Sequence, residues 1–174
     1  MSYLSPVKLQ EAKTEFIENW GAIGTNWGIS KTMAQVHALL LVSNKPLNSD
    51  DIMEELGISR GNTNMTVRAL MDWRLVEKVA ILGERKEFFK AEKDVWKIVS
   101  RIASERRKRE LEPVQNLLSR LEKVEADEAS KEEAKEFERM MKSLKKFTDK
   151  VDRGLTKVGS GDESWFINTL LKMM

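Results

Sequence analysis

No cysteine occurs in the 174 residues. Disulfides, thiolate nucleophiles, Cys-ligated zinc and iron–sulfur clusters are therefore excluded, and a reducing compartment is expected. The single histidine, His37, cannot build a His-rich metal site or an H-E-x-x-H protease in one chain. No apolar run approaches the ~18–20 residues that span a bilayer. The opening MSYLSPVKLQEAK lacks the basic-then-apolar pattern of a signal peptide. The expectation is a cytoplasmic protein with no membrane contact, metal or cofactor. An excess of one charge is also missing: Lys+Arg 30 against Asp+Glu 28 leaves a net charge of +2. Any nucleic-acid surface must then come from a local patch. Only Pro6, Pro46 and Pro113 break the chain as prolines, which points to long helices.

What is present fits one domain, or a small domain with a long appendage. Ala12, Phe16, Ile17, Trp20 and Ile23 draw one helical face over about 7–24, and Gly21, Gly24 and Gly28 are expected to end it. Ser30 can cap a second helix, in which Met33, Val36, Leu40 and Leu41 face inward. Residues 44–48 read as a turn. Asn48 or Ser49 then caps a short helix, with Asp50 and Asp51 at the positive end of its dipole. Gly57 stops that helix. Ser59 caps another, roughly 60–74, with Val67, Leu70 and Met71 at core spacing. This is a helix-turn-helix unit. LVEKVAIL (75–82), the turn Gly83–Lys86 and a second strand at 87–91 form a hairpin, so the whole reads as a winged helix. From Asp94 onward the pattern is helical again, with Pro113 as an interruption.

The second helix of the unit carries the most chemistry. Arg60, Asn64 and Arg68 share one face, and Ser59, Asn62 and Thr63 add hydrogen-bonding groups at its N-terminal end. Arg suits guanine O6/N7, Asn suits adenine N6/N7, and Thr can meet a thymine methyl. Gly61 clears a path for the backbone to approach DNA. A solvated, short-polar helix surface is the competing reading. Segment 59–90 tips the balance with seven bases against four acids, Arg85 and Lys86 being at the hairpin tip. A tip of this kind reaches a minor groove or a backbone.

At these spacings residues 30–113 resemble the GbsR-type branch of the MarR-like winged-helix transcriptional regulators. The resemblance rests on SRGNTNMTVRALMDW (59–73), LVEK (75–78), GERKEFFKAE (83–92), Trp96 and SERRKRELEP (104–113). It implies a mainly α fold with a small β-hairpin wing, and a dimeric repressor or activator on palindromic double-stranded DNA. It also implies that some members release DNA on sensing a small molecule. Carried over by position, Ser59, Arg60, Gly61, Asn62, Thr63, Asn64 and Arg68 read DNA, and Arg85 and Lys86 form the wing contact. There are two departures. Arg74 stands where the family usually has Gly in a Trp-Gly-Leu-Val turn, so the helix ends less sharply or Arg74 reaches a phosphate. Glu84 and Lys86 replace the usual wing Asp and Arg, and the expected wing salt link joins these two.

The remaining stripes exceed what a winged helix covers. The expected organisation is an N-terminal supporting or dimerising helix (1–29), the DNA-binding domain (30–93) and a helical dimerisation region (94–174). Val114, Leu117, Leu121 and Val124 follow a 3-4-3 coiled-coil spacing, 125–136 reads as a connection, and Phe137, Leu144 and Phe147 belong to the next stripe. These seven residues are the expected homodimer contacts; a local helical bundle is the alternative. A last helix is expected at 163–173. SERRKRELEP reads as a solvated helix face, a DNA contact or a cross-subunit salt link. Trp20 and Trp27 could form an aromatic cage for a quaternary-ammonium effector such as choline, which the resemblance raises. Ordinary core packing is the competing reading. His37 reads as a satisfied core-edge residue. No G-x-S-x-G, phosphate loop or paired carboxylate supports an enzyme. A winged helix used only for protein–protein contact is the rival function.

Overall fold

The computed structural model describes residues 7–159 other than 27, 126 and 129. The chain divides between Asp94 and Val95 into two units. The helix expected at 163–173 lies outside the described residues.

The first unit runs α1 (Leu9–Asn26), α2 (Lys31–Val42), β1 (Leu47–Asn48), α3 (Ser49–Leu56), α4 (Arg60–Asp72), β2 (Val76–Val79) and β3 (Phe88–Ala91). Its centre is α2, which buries Met33, Ala34, Val36, His37, Ala38, Leu39 and Leu40. A helix buried on nearly every side is a core helix, and the other elements pack around it. Ser30 Oγ accepts the Met33 N–H at 3.1 Å and starts it. Lys93 closes it, donating to the Leu41 and Ser43 carbonyls at 2.5 and 2.7 Å. A cation there meets the negative end of the helix dipole.

The expectation that Gly21 and Gly24 end α1 is corrected. Both lie inside the helix and are buried. A Cβ at Gly24 would stand 2.4 Å from the Ala34 Cβ, and one at Gly21 would stand 2.7 Å from the Gln35 Cγ. Helical glycine costs about 1 kcal/mol relative to alanine; here it lets α1 and α2 approach closely.

The three strands form one antiparallel sheet in the order β1-β3-β2. The segment read only as a turn at 44–48 therefore contains a strand: Leu47 pairs with Phe89 and Asn48 with Phe88. The hairpin strands are shorter than expected and the tip between them longer. Glu77 faces Lys90 across β2 and β3 and pairs with it at 2.8 Å. Leu47, Ile52, Val67, Leu70, Trp73, Leu75, Val76 and Phe89 fill the core. Each such side chain contributes about 1.5–3 kcal/mol by leaving water.

The second unit is α5 (Val95–Arg106), a wide π turn (Arg107–Leu111), α6 (Glu112–Arg120) and α7 (Lys131–Gly159). Pro113 falls in the first turn of α6. Lacking an N–H, and with a ring that crowds the carbonyl four residues back, it cannot sit in an unbroken α-helix. The π turn immediately before it takes up the mismatch. The coiled-coil seam expected over 114–124 is corrected as well. The helix stops at Arg120, and Val124 lies beyond it with its N–H donating to Glu138 Oε1 at 3.2 Å. The connection is 121–130 rather than 125–136. In SERRKRELEP, Arg106 pairs with Glu110, Lys108 with Glu105, and Arg107 with both Glu112 and Asp152.

Candidate nucleic-acid interface

Local rules place α3 and α4. Asn48 Oδ1 accepts the Asp50 and Asp51 N–H groups at 2.8 and 3.2 Å, and Asp51 Oδ2 accepts the Asn48 N–H at 2.8 Å. This reciprocal capping box starts α3. Gly57 ends it with φ +63°, a left-handed conformation natural to glycine. Two residues later the Ser59 side chain accepts the Asn62 N–H at 3.3 Å and starts α4.

The buried side of α4 is Thr63, Thr66, Val67 and Leu70. Thr63 was expected outward, on DNA; it is 0% exposed, with its hydroxyl donating to the Ser59 carbonyl at 3.0 Å. That assignment is corrected. Met71, expected in the core, is only half-buried. The outward side carries Arg60, Gly61, Asn64 and Arg68, with Asn62 half-buried at its edge. Met65, passed over as an apolar letter, is 68% exposed on the same face. Its spacing from Gly61 and Arg68, four and three residues, was the available signal. From Arg60 to Asp72 no acid interrupts this face.

The turn after α4 resolves the Arg74 departure. Arg74 has φ +59°. Its N–H donates to the Met71 carbonyl at 2.8 Å, and the Leu75 N–H donates to the Leu70 carbonyl at 2.9 Å. These two bonds, with buried Leu70 beneath buried Leu75, form a Schellman motif. The helix ends as sharply as a glycine would end it, with arginine in the glycine's conformation.

The wing tip, 80–87, is exposed throughout and holds Arg85 and Lys86. Leu82 at its apex is 103% exposed. Lys86 does not pair with Glu84 as expected. It donates to Asp50 Oδ2 at 2.9 Å, and Arg60 donates to Asp50 Oδ1 at 2.7 Å. One carboxylate on α3 thus joins the first residue of α4 to the wing tip. The Lys86 ammonium, and after it the Arg60 guanidinium, hold the Asp50 carboxyl below its ordinary range. Sequence reasoning had given Asp50 only to the helix dipole, because its partners lie 10 and 36 residues away.

Elsewhere the proposed cage is not assembled from described residues. Trp20 stacks on Phe16 with ring centroids 5.3 Å apart, and Trp27 lies outside the described residues. Buried His37, expected to be satisfied, has an Nε2 with no hydrogen-bond partner among the described residues, and desolvation lowers its pKa to about 4. Among the described residues no cluster of three His, Cys, Asp or Glu could hold a metal, and no helix is long and apolar enough to cross a membrane.

Comparisons with known proteins agree with this geometry. The MarR family model matches residues 27–85. The HTH-type transcriptional regulator YvaV of Bacillus subtilis (strain 168) is 24% identical over 149 residues, 81% of this chain and 82% of that protein. The HTH-type transcriptional repressor GbsR of the same organism is 25% identical over 167 residues, 91% and 92% of the two chains. A crystal structure described as a transcriptional regulator superposes with a TM-score of 0.65 at 15% identity, covering 86% of this chain and 96% of that one.

Proposed function

We propose, from the match of residues 27–85 to the MarR family model, that the chain is a sequence-specific DNA-binding transcriptional regulator, acting as a homodimer on a palindromic operator. The observation that carries the reading is the outward face of α4: Arg60, Gly61, Asn64 and Arg68, with no acid in the helix before Asp72 and with Asp50 of α3 tying Arg60 to Lys86 of the wing. Arg and Asn forks match purine edges in a major groove. Arg85 and Lys86 at the wing supply contacts to the backbone, with Leu82 as an apolar tip for the minor groove. The curated relatives are regulators, not enzymes.

In this reading 30–93 reads DNA, 94–174 holds two copies together, and 1–29 supports the first against α2. A dimer sets two reading helices one DNA turn, ~34–36 Å, apart. We extend the proposal to a small-molecule effector that binds the DNA-free form more tightly and so lowers operator affinity. Choline is the probe; operator binding unchanged by it removes that ligand.

The experiment is selection from random duplex DNA at two salt concentrations. The expected result is an inverted repeat with half-sites about one helical turn apart. Arg60→Ala then relaxes base preference, and Arg85→Ala flattens the salt dependence by roughly 0.9 for each phosphate it no longer neutralises. Weak binding without enrichment, vanishing as salt rises, would overturn the reading and leave the protein-contact function.

A further inference from the structure

Helix α7 has two seams, and the more apolar one faces away from its own unit. The inward seam contains Ala134, Glu138, Met141, Lys145, Asp149, Asp152 and Leu155, all half-buried. Much of it is polar and engaged. Lys145 pairs with Glu122 at 3.1 Å, Gln115 donates to Asp149 at 3.1 Å, and Arg107 donates to Asp152 at 2.5 Å. The outward seam is Phe137, Met140, Leu144, Phe147 and Val151, each 38–64% exposed. Its steps of three, four, three and four are the a/d repeat of a coiled coil. A charged helix that turns polar groups inward and phenylalanines outward is patterned for a second apolar surface.

Two further observations say what that surface is. Gly154 continues the seam at the next d position, inside a helix where glycine costs about 1 kcal/mol. Among the described residues nothing requires it, since a Cβ there would meet none of their atoms within 4 Å. Charge is also uneven along α7. Its first third, Lys131 to Met140, is weakly acidic, while Met141 to Lys157 carries six bases against Asp149 and Asp152.

We infer that two copies of this chain pair through the outward seams of α7, running antiparallel; the inference rests on the homodimer proposed above and names its surface. The antiparallel a-to-d layering sets Leu144 against the partner's Phe147, Met140 against the partner's Val151, and Phe137 over the partner's Gly154. The large ring lies on the residue that has no side chain. At the flanking g positions Glu136 meets the partner's Lys157, and the acidic end of one helix lies along the basic end of the other. Parallel pairing would stack Phe137 on Phe137 and place Gly154 on Gly154, and it would bring like charge together along the helix.

The absence of native cysteine makes the test direct, because every thiol is an introduced one. The full-length Glu136→Cys/Lys157→Cys variant is treated with a short bis-maleimide. The two positions are roughly 32 Å apart along one helix, beyond the reagent's reach within a chain. A covalent dimer from the double variant, and none from either single variant, is the expected result. Gly154→Ala should leave the helix content unchanged or raised while weakening the dimer about tenfold or more by sedimentation. Glu136→Lys should weaken it about threefold to tenfold, with recovery when Lys157→Glu is added. Cross-linking of Met140→Cys to its own counterpart would mean parallel pairing and overturn the inference. A dimer that selects an inverted repeat yet gives no cross-link would overturn the inference alone. The expected cross-link without any enriched DNA would instead remove the operator reading and leave the α7 pairing standing.

Discussion

Replacing Arg74 with glycine should stabilise the protein. Arg74 holds φ +59° at the end of α4, with both Schellman hydrogen bonds in place. A non-glycine residue in that region carries about 1–2 kcal/mol of steric strain. Glycine removes the strain but loses more backbone entropy on folding, about 0.4–1 kcal/mol. The difference is a gain of about 0.5–1 kcal/mol, or roughly 1–4 °C in Tm for a chain of this size. Calorimetry or denaturant titration at neutral pH reads it. Arg74→Ala is the matched control, since alanine keeps the strain and should gain nothing. Arg74→Asn should fall between, because asparagine tolerates left-handed backbone better than other side chains. Arg74→Gly no more stable than the wild type, or alanine gaining as much as glycine, would refute the argument. The same variant tests the phosphate reading of Arg74: if the side chain contacts DNA, the salt slope of binding falls by about 0.9 as stability rises.

Asp50→Asn should release both Arg60 and Lys86 from the reading face. Binding to random-sequence DNA should strengthen and its salt slope steepen, by about 0.9 for each added phosphate contact, while discrimination for the selected operator falls; an unchanged specificity ratio would mean the carboxylate does not position these cations. Stability should drop as acid reaches His37. Its folded pKa, about 4, lies below the unfolded 6.5, so the unfolded chain binds the proton first. Stability is full above pH 6.5 and is lost as pH falls toward 4, by about 3 kcal/mol in total. His37→Gln should flatten that part of a pH–stability profile. Gly24→Ala should destabilise by about 1–3 kcal/mol through overpacking against Ala34. A Cβ at Gly61 meets no atom of the described residues within 4 Å, so Gly61→Ala should leave the melting temperature unchanged or raised, while operator affinity drops if the backbone of α4 approaches DNA.

Much of the fold was legible because its signals are local. Ser30, Ser59 and Asn48 begin helices through bonds reaching two or three residues, and Gly57 ends one through its own backbone angle. Those choices follow from residue chemistry at fixed offsets. Helix α4 was legible for the same reason, apart from one turn of its face. Thr63 hid its burial behind a polar letter, since its hydroxyl is satisfied by the Ser59 carbonyl. Met65 hid its exposure behind an apolar one. Gly21 and Gly24 were misread because a helix-ending glycine and a close-packing glycine look alike until the facing helix is present.

The sequence by itself determined the caps of α2, α3 and α4, the hairpin, the stripe of 137–151 and the cationic end of α4. Each depends on contacts within a few residues, where backbone geometry leaves few options. Only the tertiary structure decided that Asp50 links Arg60 to Lys86, that Leu47 pairs with Phe89, and that α7 turns its polar seam inward. Those outcomes need segments from far along the chain to return to one place. No local rule encodes which of two amphipathic faces a returning segment will cover, because burial is a property of the packed whole.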